Sequence, residues 1–351
     1  MKTYIFPIAL FLSMVSCQKN DHLPDSDKYV YDIPQVDLQA DARVGAYYHH
    51  YTTADWDKLQ TDVSLLGKPY DVLADASVFP RQLDWAGQAG VDFLIFKWNA
   101  TATDDALLDA FAQANGNKPI GMVIAFNTAH LNASNTTKLE GPLLEQMLDE
   151  FSSLIATYVS KDYYYRIEGR PVIILSPLNL AASRAESIDF VMVTDRIRQH
   201  FSTYGLDPFI IGEITTGWTA PANFRLGVLA AMDGVVATTW NTADYDRWWA
   251  FYSFSDLNWQ NWKASLAPLG VDYVPCIFPG YDEPAAPTQR AIERTEKNYI
   301  DYANVAKRSM GRQRIVFVNS WNDFVRGTAL EPSEKYPQQF LELTRRAFKL
   351  N

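Results

Sequence analysis

Cysteine is scarce in this chain: Cys17 and Cys276 are the two present in 351 residues. With Cys17 modified, as argued below, Cys276 has no partner within the chain, so no internal disulfide is expected even in an oxidising compartment. Mature apolar runs of the roughly 20 residues that cross a bilayer are missing too. No glycine-rich phosphate loop follows the first strand, which argues against a doubly wound nucleotide-binding sheet. Internal repeats and low-complexity stretches are absent, and a single domain is expected. Positive charge is in deficit, 31 Lys and Arg against 41 Asp and Glu for a formal net charge of -10. A chain this acidic is a poor partner for nucleic acid or an anionic membrane surface. The pair His49-His50 has no Asp, Glu or His nearby at ligand spacing, and adjacent strand residues face opposite ways, so neither a metal nor a cofactor is expected.

What is present begins at the start of the chain. Met1 and Lys2 give a short positive lead, residues 4–14 an apolar stretch, and Ser16 a small residue directly before Cys17. That order reads as a bacterial lipoprotein signal over 1–16, with lipidation of Cys17. Polar Gln18-Lys19-Asn20-Asp21 resembles the surface-export tether of Bacteroidetes lipoproteins, and 17–39 reads as a lipid-anchored polar linker. The expectation is an outer-membrane lipoprotein facing the cell surface or periplasm, monomeric and touching the membrane only through its anchor.

Beyond the linker, 40–351 is long for a sandwich but comfortable for one α/β barrel. Short runs rich in Val, Ile and Phe alternate with segments of helical period, as when strands are covered by helices. Strands are predicted over 44–49, 93–98, 120–126, 172–176, 209–213, 234–239, 273–278 and 315–319. Helices are predicted over 80–89, 104–115, 141–159, 187–204, 223–230, 259–269, 288–310 and 337–349. Gly90, Gly116, Gly205 and Gly270 each follow a helical segment where a left-handed cap is wanted. The fold class is therefore α/β, a single (β/α)8 TIM barrel.

In such a barrel the carboxyl ends of the strands carry function. Read in order they give Tyr47, Tyr48 and His49; Lys97, Trp98 and Asn99; Asn127; Ser176; Glu213; Trp240 and Asn241; Tyr281, Asp282 and Glu283; and Asn319, Trp321, Asn322 and Asp323. Aromatic residues make up 14% of the chain, including 10 Trp and 19 Tyr, more than a core of this size requires. Rings, amides and a few carboxylates suit a polyhydroxylated ligand, with flat rings stacking on the C–H faces of sugars. Trp98, Trp240 and Trp321 are the candidate platforms.

The segment Asn319-Ser320-Trp321-Asn322-Asp323-Phe324-Val325-Arg326-Gly327-Thr328-Ala329-Leu330-Glu331-Pro332 resembles the strand-eight signature of glycoside hydrolase family 99, Asn-x-Trp-Asn-Glu-Trp-x-Glu-Gly-Thr-x-Leu-Glu-Pro. Gly169-Arg170-Pro171-Val172 and Pro279-Gly280-Tyr281-Asp282 are similar as well, and family 71 shares the Trp-Asn-Asp form at Trp321 to Asp323. The resemblance spans essentially the whole barrel. It implies retaining attack on an α-linked glycan, endo-acting on α-mannosides in family 99 and on α-1,3-glucan in family 71. In family 99 the two glutamates of the signature act as base and acid. Asp323 matches the first; the second falls on Arg326, a departure from the pattern.

A guanidinium is no general acid near neutral pH, and beside Asp323 it would hold that carboxylate ionised. Asp323 is thus the candidate base or nucleophile, and Glu213, ending a buried strand, the candidate acid if burial raises its pKa. Substrate contacts are expected from Tyr48, Trp98, Asn127, Trp240, Asn241, Tyr281, Asp282, Trp321, Arg326 and Glu331, the last also suited to fixing its loop. The leading expectation is a cell-surface glycoside hydrolase. A non-catalytic glycan binder on an inherited barrel is the rival that Arg326 favours, and a structural envelope protein is disfavoured by the aromatic strand ends.

Overall fold

The structure, a computed structural model, describes residues 30–58, 60, 62–116, 118–133, 137–178, 189–214, 223–237, 250–285 and 291–350. Its strands are β1 (Arg43–Tyr48), β2 (Phe93–Trp98), β3 (Gly121–Asn127), β4 (Arg166–Ile167), β5 (Arg170–Leu178), β6 (Phe209–Ile214), β7 (Gly234–Ala237), β8 (Asp272–Val274), β9 (Cys276–Ile277) and β10 (Ile315–Val318). Its helices are α1 (Thr53–Trp56), α2 (Val78–Gln88), α3 (Ala102–Asn115), α4 (Pro142–Leu154), α5 (Phe190–Ser202), α6 (Asn223–Leu229), α7 (Phe251–Leu266), α8 (Glu296–Ser309) and α9 (Gln339–Phe348).

The strands run in the order β8-β7-β6-β5-β3-β2-β1-β10-β9, parallel throughout, while β4 is a short antiparallel partner of β5. β8 and β9 are two pieces of one strand, parted at Pro275, which has no N–H to give the ladder. The first piece pairs with β7 and the second with β10. Pro275 still accepts from Phe317 N at 2.9 Å across the break. The ring therefore closes on eight strand positions: the chain is the (β/α)8 barrel its alternating pattern predicts. Two helix starts differ from the prediction. α8 begins after Thr295, whose hydroxyl accepts from Asn298 N at 3.2 Å and so serves an amide that would otherwise lack a partner. α7 begins at Phe251, which it buries along with Trp259 and Trp262.

Strand side chains alternate between two cores. Tyr47, Phe93, Ile95, Val123, Ala125, Val172, Ile174, Phe209, Ile211, Val236, Val274, Cys276, Ile315 and Phe317 fill the barrel. Tyr48, Leu94, Phe96 and Trp98 point outward into the layer shared with the helices. Gly45 is required here, because a Cβ would drive into the ring of Phe93, which packs edge-on against Phe317 at 5.9 Å. At the foot of the barrel a hollow of about 570 Å³ is ringed by Arg43, Arg170, Asp233, Asp272 and Arg312. Pairs such as Arg170–Asp233 at 2.8 Å cross it, on the side of such barrels that serves stability.

The polar stretch ahead of β1 is a strap over its last ten residues rather than the linker predicted through 39. Tyr31 donates its hydroxyl to Asp256 Oδ2 at 2.7 Å and Ser253 O at 3.1 Å. Asn304 Oδ1 accepts from Val36 N at 3.2 Å, Lys307 donates to Val36 O at 2.6 Å, and Ile33 and Leu38 pack on the core. Asp256, wholly buried, also takes Arg308 Nε at 2.9 Å. Cys17 lies outside the described residues. Removing the chain up to Gln39 should lower stability by roughly 2 kcal/mol or more, from lost apolar burial and two charge-assisted bonds. Urea melts measure it, and an unchanged midpoint would mean the strap contributes nothing.

Candidate active site

The carboxyl-terminal rim carries two adjoining hollows. One, of about 260 Å³, is lined by Tyr47, His49, His50, Lys97, Glu213 and Asn319 among others. The second, of about 310 Å³, is lined by His49, His50, Tyr51, Glu283, Asp323 and Arg326 among others. His49 and His50 form the shared wall.

Glu213 reaches its hollow from β6 by the same alternation that turns Phe209 and Ile211 inward. Its carboxylate is buried, accepting the Tyr47 hydroxyl at 3.2 Å and lying 3.8 Å from Lys97 Nζ. Burial, followed by the charge of Glu213, pushes the Tyr47 phenol well above its ordinary value. Cys276, deeper in the barrel, is pushed up for the same two reasons.

Asp323 is placed by its loop. Ser320 Oγ accepts from Asp323 N at 2.6 Å, Leu330 N donates back to Ser320 O at 3.0 Å, and Glu331 N donates to Trp321 O at 2.6 Å. Tyr51 OH accepts from Phe324 N at 2.6 Å and Val325 N at 3.2 Å while lying 3.4 Å from Asp323 Oδ1. Arg326 then grips the carboxylate from two atoms, its backbone N at 3.0 Å from Oδ1 and Nη1 at 3.0 Å from Oδ2. The same guanidinium stands 3.9 Å from Glu283, which accepts the Tyr281 hydroxyl at 2.9 Å. Asn322 ties this loop to the first strand: its Oδ1 accepts from His49 N at 2.8 Å and its Nδ2 donates to His49 O at 2.9 Å. His49 Nε2 comes to 3.9 Å from Asp323 Oδ2. Enclosure lowers the proton affinity of His49 and Asp323 opposes this, although 39% of the side chain is open to the cleft.

Several predicted contacts require correction. Tyr48 turns its ring outward, donating to Gln82 at 3.0 Å between Phe79 and Phe96, while still contributing to the lining of the first hollow beside Tyr47. Trp98 is likewise outward and buried, packed on Phe126 with its indole N–H on Asp105 at 2.9 Å; Lys97 takes the inward position. Trp321 is wholly buried. Neither indole offers a face to a sugar. Asp282 is exposed, with its amide bonded to Arg326 O at 2.9 Å, and Glu283 rather than Asp282 enters the hollow. Tyr281 is buried, reaching the site through Glu283. Asn127 caps the turn after β3 by accepting from Ala129 N at 3.0 Å, and donates to Asn99 at 2.5 Å. Trp240 and Asn241 lie outside the described residues. Counting in twos from Phe93 selects Lys97, and from Gly45, its register partner on β1, Tyr47 and His49.

Glu331 is entirely buried and touches no hollow, a correction to its expected sugar contact. It accepts from Ser64, from Gln82 at 2.7 Å and from Tyr70 at 3.2 Å. Tyr70 in turn accepts from Asn322 Nδ2 at 3.1 Å. Burial raises the Glu331 carboxyl to about 7 despite these donors. Among the described residues no group of three or more His, Cys, Asp or Glu gathers as a metal site.

The closed barrel thus presents carboxylates, imidazoles, a lysine and an arginine at its strand ends, where (β/α)8 barrels carry function. The chain belongs to the family described as "Glycosyltransferase WbsX", whose model matches residues 143–344. A solved "Glycoside hydrolase-like protein" is similar at 21% identity and TM-score 0.80, over 93% of this chain and 99% of its own. The GH99 endo-alpha-mannosidase from Bacteroides thetaiotaomicron follows at 16% identity and TM-score 0.64, over 88% and 96%. An exo-beta-1,4-mannosidase from Opitutaceae bacterium strain TAV5 has 13% identity and TM-score 0.52, over 88% and 60%. No curated protein matches. The fold is thus glycoside hydrolase-like and related to that of the family 99 endo-α-mannosidases, in line with the strand-eight resemblance.

Two measurements separate support from contact. Trp98→Ala should cost about 3–5 kcal/mol of stability as a core truncation; a weakened glycan affinity at unchanged stability would restore it as a platform. For Glu331, the folded chain keeps its proton to about pH 7, whereas the unfolded chain releases it near 4.5. Its stabilisation is therefore complete below 4.5 and lost as pH rises through 7, up to roughly 3 kcal/mol. Urea midpoints at about pH 5 and pH 8 should differ less in Glu331→Gln than in the wild type. An identical pH dependence in both would show that Glu331 does not carry it.

Proposed function

We propose that the protein is a glycoside hydrolase of an α-linked glycan or polysaccharide, working at the bacterial cell surface. The observation that carries this reading is the pair of carboxylates, Glu213 from β6 and Asp323 after β10, opening on adjoining hollows with His49 and His50 between them. Hydrolysis of a glycosidic bond uses two groups flanking it, one handling the attacking water or stabilising the developing charge, one serving the leaving oxygen. Glu213 meets a cation and a hydroxyl donor on its two oxygens, the surroundings of a base. Asp323, with Arg326 on it, balances positive charge forming at the sugar. The kinship with family 99 supports an α-mannoside or α-glucan cut internally, and the lipoprotein-like signal ending at Cys17 supports the location.

A second reading, a glycan binder on an inherited barrel, is favoured by the 3.0 Å bond that engages Asp323 with Arg326, where the family signature has its acid. A polysaccharide-digestion screen, with products followed by mass spectrometry, decides between them. Release of sugars by wild type, with Asp323→Asn and Glu213→Gln each lowering turnover about 10²-fold or more, is the expected result. Saturable glycan binding without products, unchanged in both variants, would establish the binder. Products joined to an added sugar acceptor would favour transfer, as the family description has it.

A further inference from the structure

The hydrolase reading leaves the leaving-group proton without a source. Arg326 holds the family's acid position, and a guanidinium does not release its proton. The carboxylates of the cleft are each committed to cations or hydroxyl donors: Asp323 to Arg326, Glu283 to Tyr281 and Arg326, Glu213 to Tyr47 and Lys97, Asp55 to Thr52 and Lys58, and Asp104 to Thr101. Burial raises the phenols of Tyr47, Tyr51 and Tyr281, so they hold their protons too firmly. Glu331 lies outside the cleft, wholly buried.

We propose that His49 is the proton donor of this cleft, protonating the glycosidic oxygen from Nε2 as the bond to the anomeric carbon breaks. Its position is built for the purpose. The backbone is held on both sides by Asn322, the ring is bonded to the Asn319 side chain, and Nε2 stands 3.9 Å from Asp323 Oδ2. The ring stands in the wall common to both hollows, with Glu213 lining one and Glu283 the other. The charges acting on it are Asp323, which favours the imidazolium, and Arg326 and Lys97, which oppose it; His50 is its neighbour in the wall.

The step balances without a further reactant. A water oxygen bonds to the anomeric carbon in a single displacement, which inverts that centre and departs from the retaining attack the resemblance implies, and its proton passes to Glu213. The C–O electron pair leaves with the glycosidic oxygen, which takes the Nε2 proton. Solvent then carries the proton from Glu213 back to His49. Besides balancing the charge forming at the sugar, Asp323 stabilises the charged form of His49.

This inference rests on the hydrolase reading, and its test tells the two apart. His49→Gln keeps the backbone bonds to Asn322, and a melt checks its fold. The substrates are the glycan found by the screen and its 2,4-dinitrophenyl glycoside, whose leaving group needs no proton. His49→Gln should lower kcat on the glycan about 10²-fold or more and on the dinitrophenyl glycoside only a few-fold, with KM little changed. Because enclosure lowers His49 below 6.5, wild-type kcat/KM on the glycan should fall as pH rises through that lowered value. The variant should lack this limb. Equal losses on both substrates, or no loss on either, overturn His49 as the donor while leaving the enzyme a hydrolase. A wild type that cleaves neither substrate overturns the hydrolase reading and this inference with it.

Discussion

The amide of Asn322 is the contact on which the site's geometry depends. By taking the N–H of His49 and giving to its carbonyl, it fixes the end of the first strand against the loop after the last. A barrel closes between those strands, so the seam and the site are the same place. The same amide passes a hydrogen bond to Tyr70 and, through it, to buried Glu331. Two carboxylates of one loop thus do opposite work. Asp323 faces the cleft, while Glu331, eight positions on, supports the backbone from behind and tolerates burial by binding its proton more tightly.

Much of the architecture was legible because a barrel strand buried on both faces must be a run of apolar residues, and the helices between must show their own period. All eight strand positions could be read this way, including the one broken at Pro275. The loop after β10 was legible for another reason: Asn319 to Pro332 carries a dense, position-specific pattern, and Asp323 and Arg326 meet as their spacing of three suggests. What was not legible was the direction of single side chains at the strand ends. Trp98 and Lys97 are adjacent, and choosing the ring over the ammonium chose the helix layer over the cleft. Tyr48 and Tyr47 repeat the error. Aromatic content drew the eye toward platforms, whereas the rings of Trp98 and Trp321 are spent on packing. Within Asp282-Glu283, no period exists to decide which carboxylate turns in; the contact with Tyr281 does so, and it is tertiary.

Arg326 changes the character of the cleft relative to the signature it interrupts. An acid there would place two carboxylates of this loop in the cleft. A guanidinium instead ties Asp323 to Glu283 and so links the loops of the seventh and eighth strands. Fold kinship at these identities carries no mechanism with it. The chemistry has to be read from the residues that remain, and these mix both signs: two imidazoles, two ammonium groups and a guanidinium around five carboxylates.

The strap ahead of β1 sets how far the barrel can range. A chain held at Cys17 and unattached as far as Ala40 could extend about 80 Å, at roughly 3.5 Å per residue. With Tyr31 fastened to α7 and Val36 to α8, an anchor at Cys17, as proposed, would allow a reach of at most about 45 Å at the same rise. On the proposed reading, a barrel so tethered would act within little more than one protein diameter of its anchorage. It would meet polymers delivered to the envelope rather than search the medium for them.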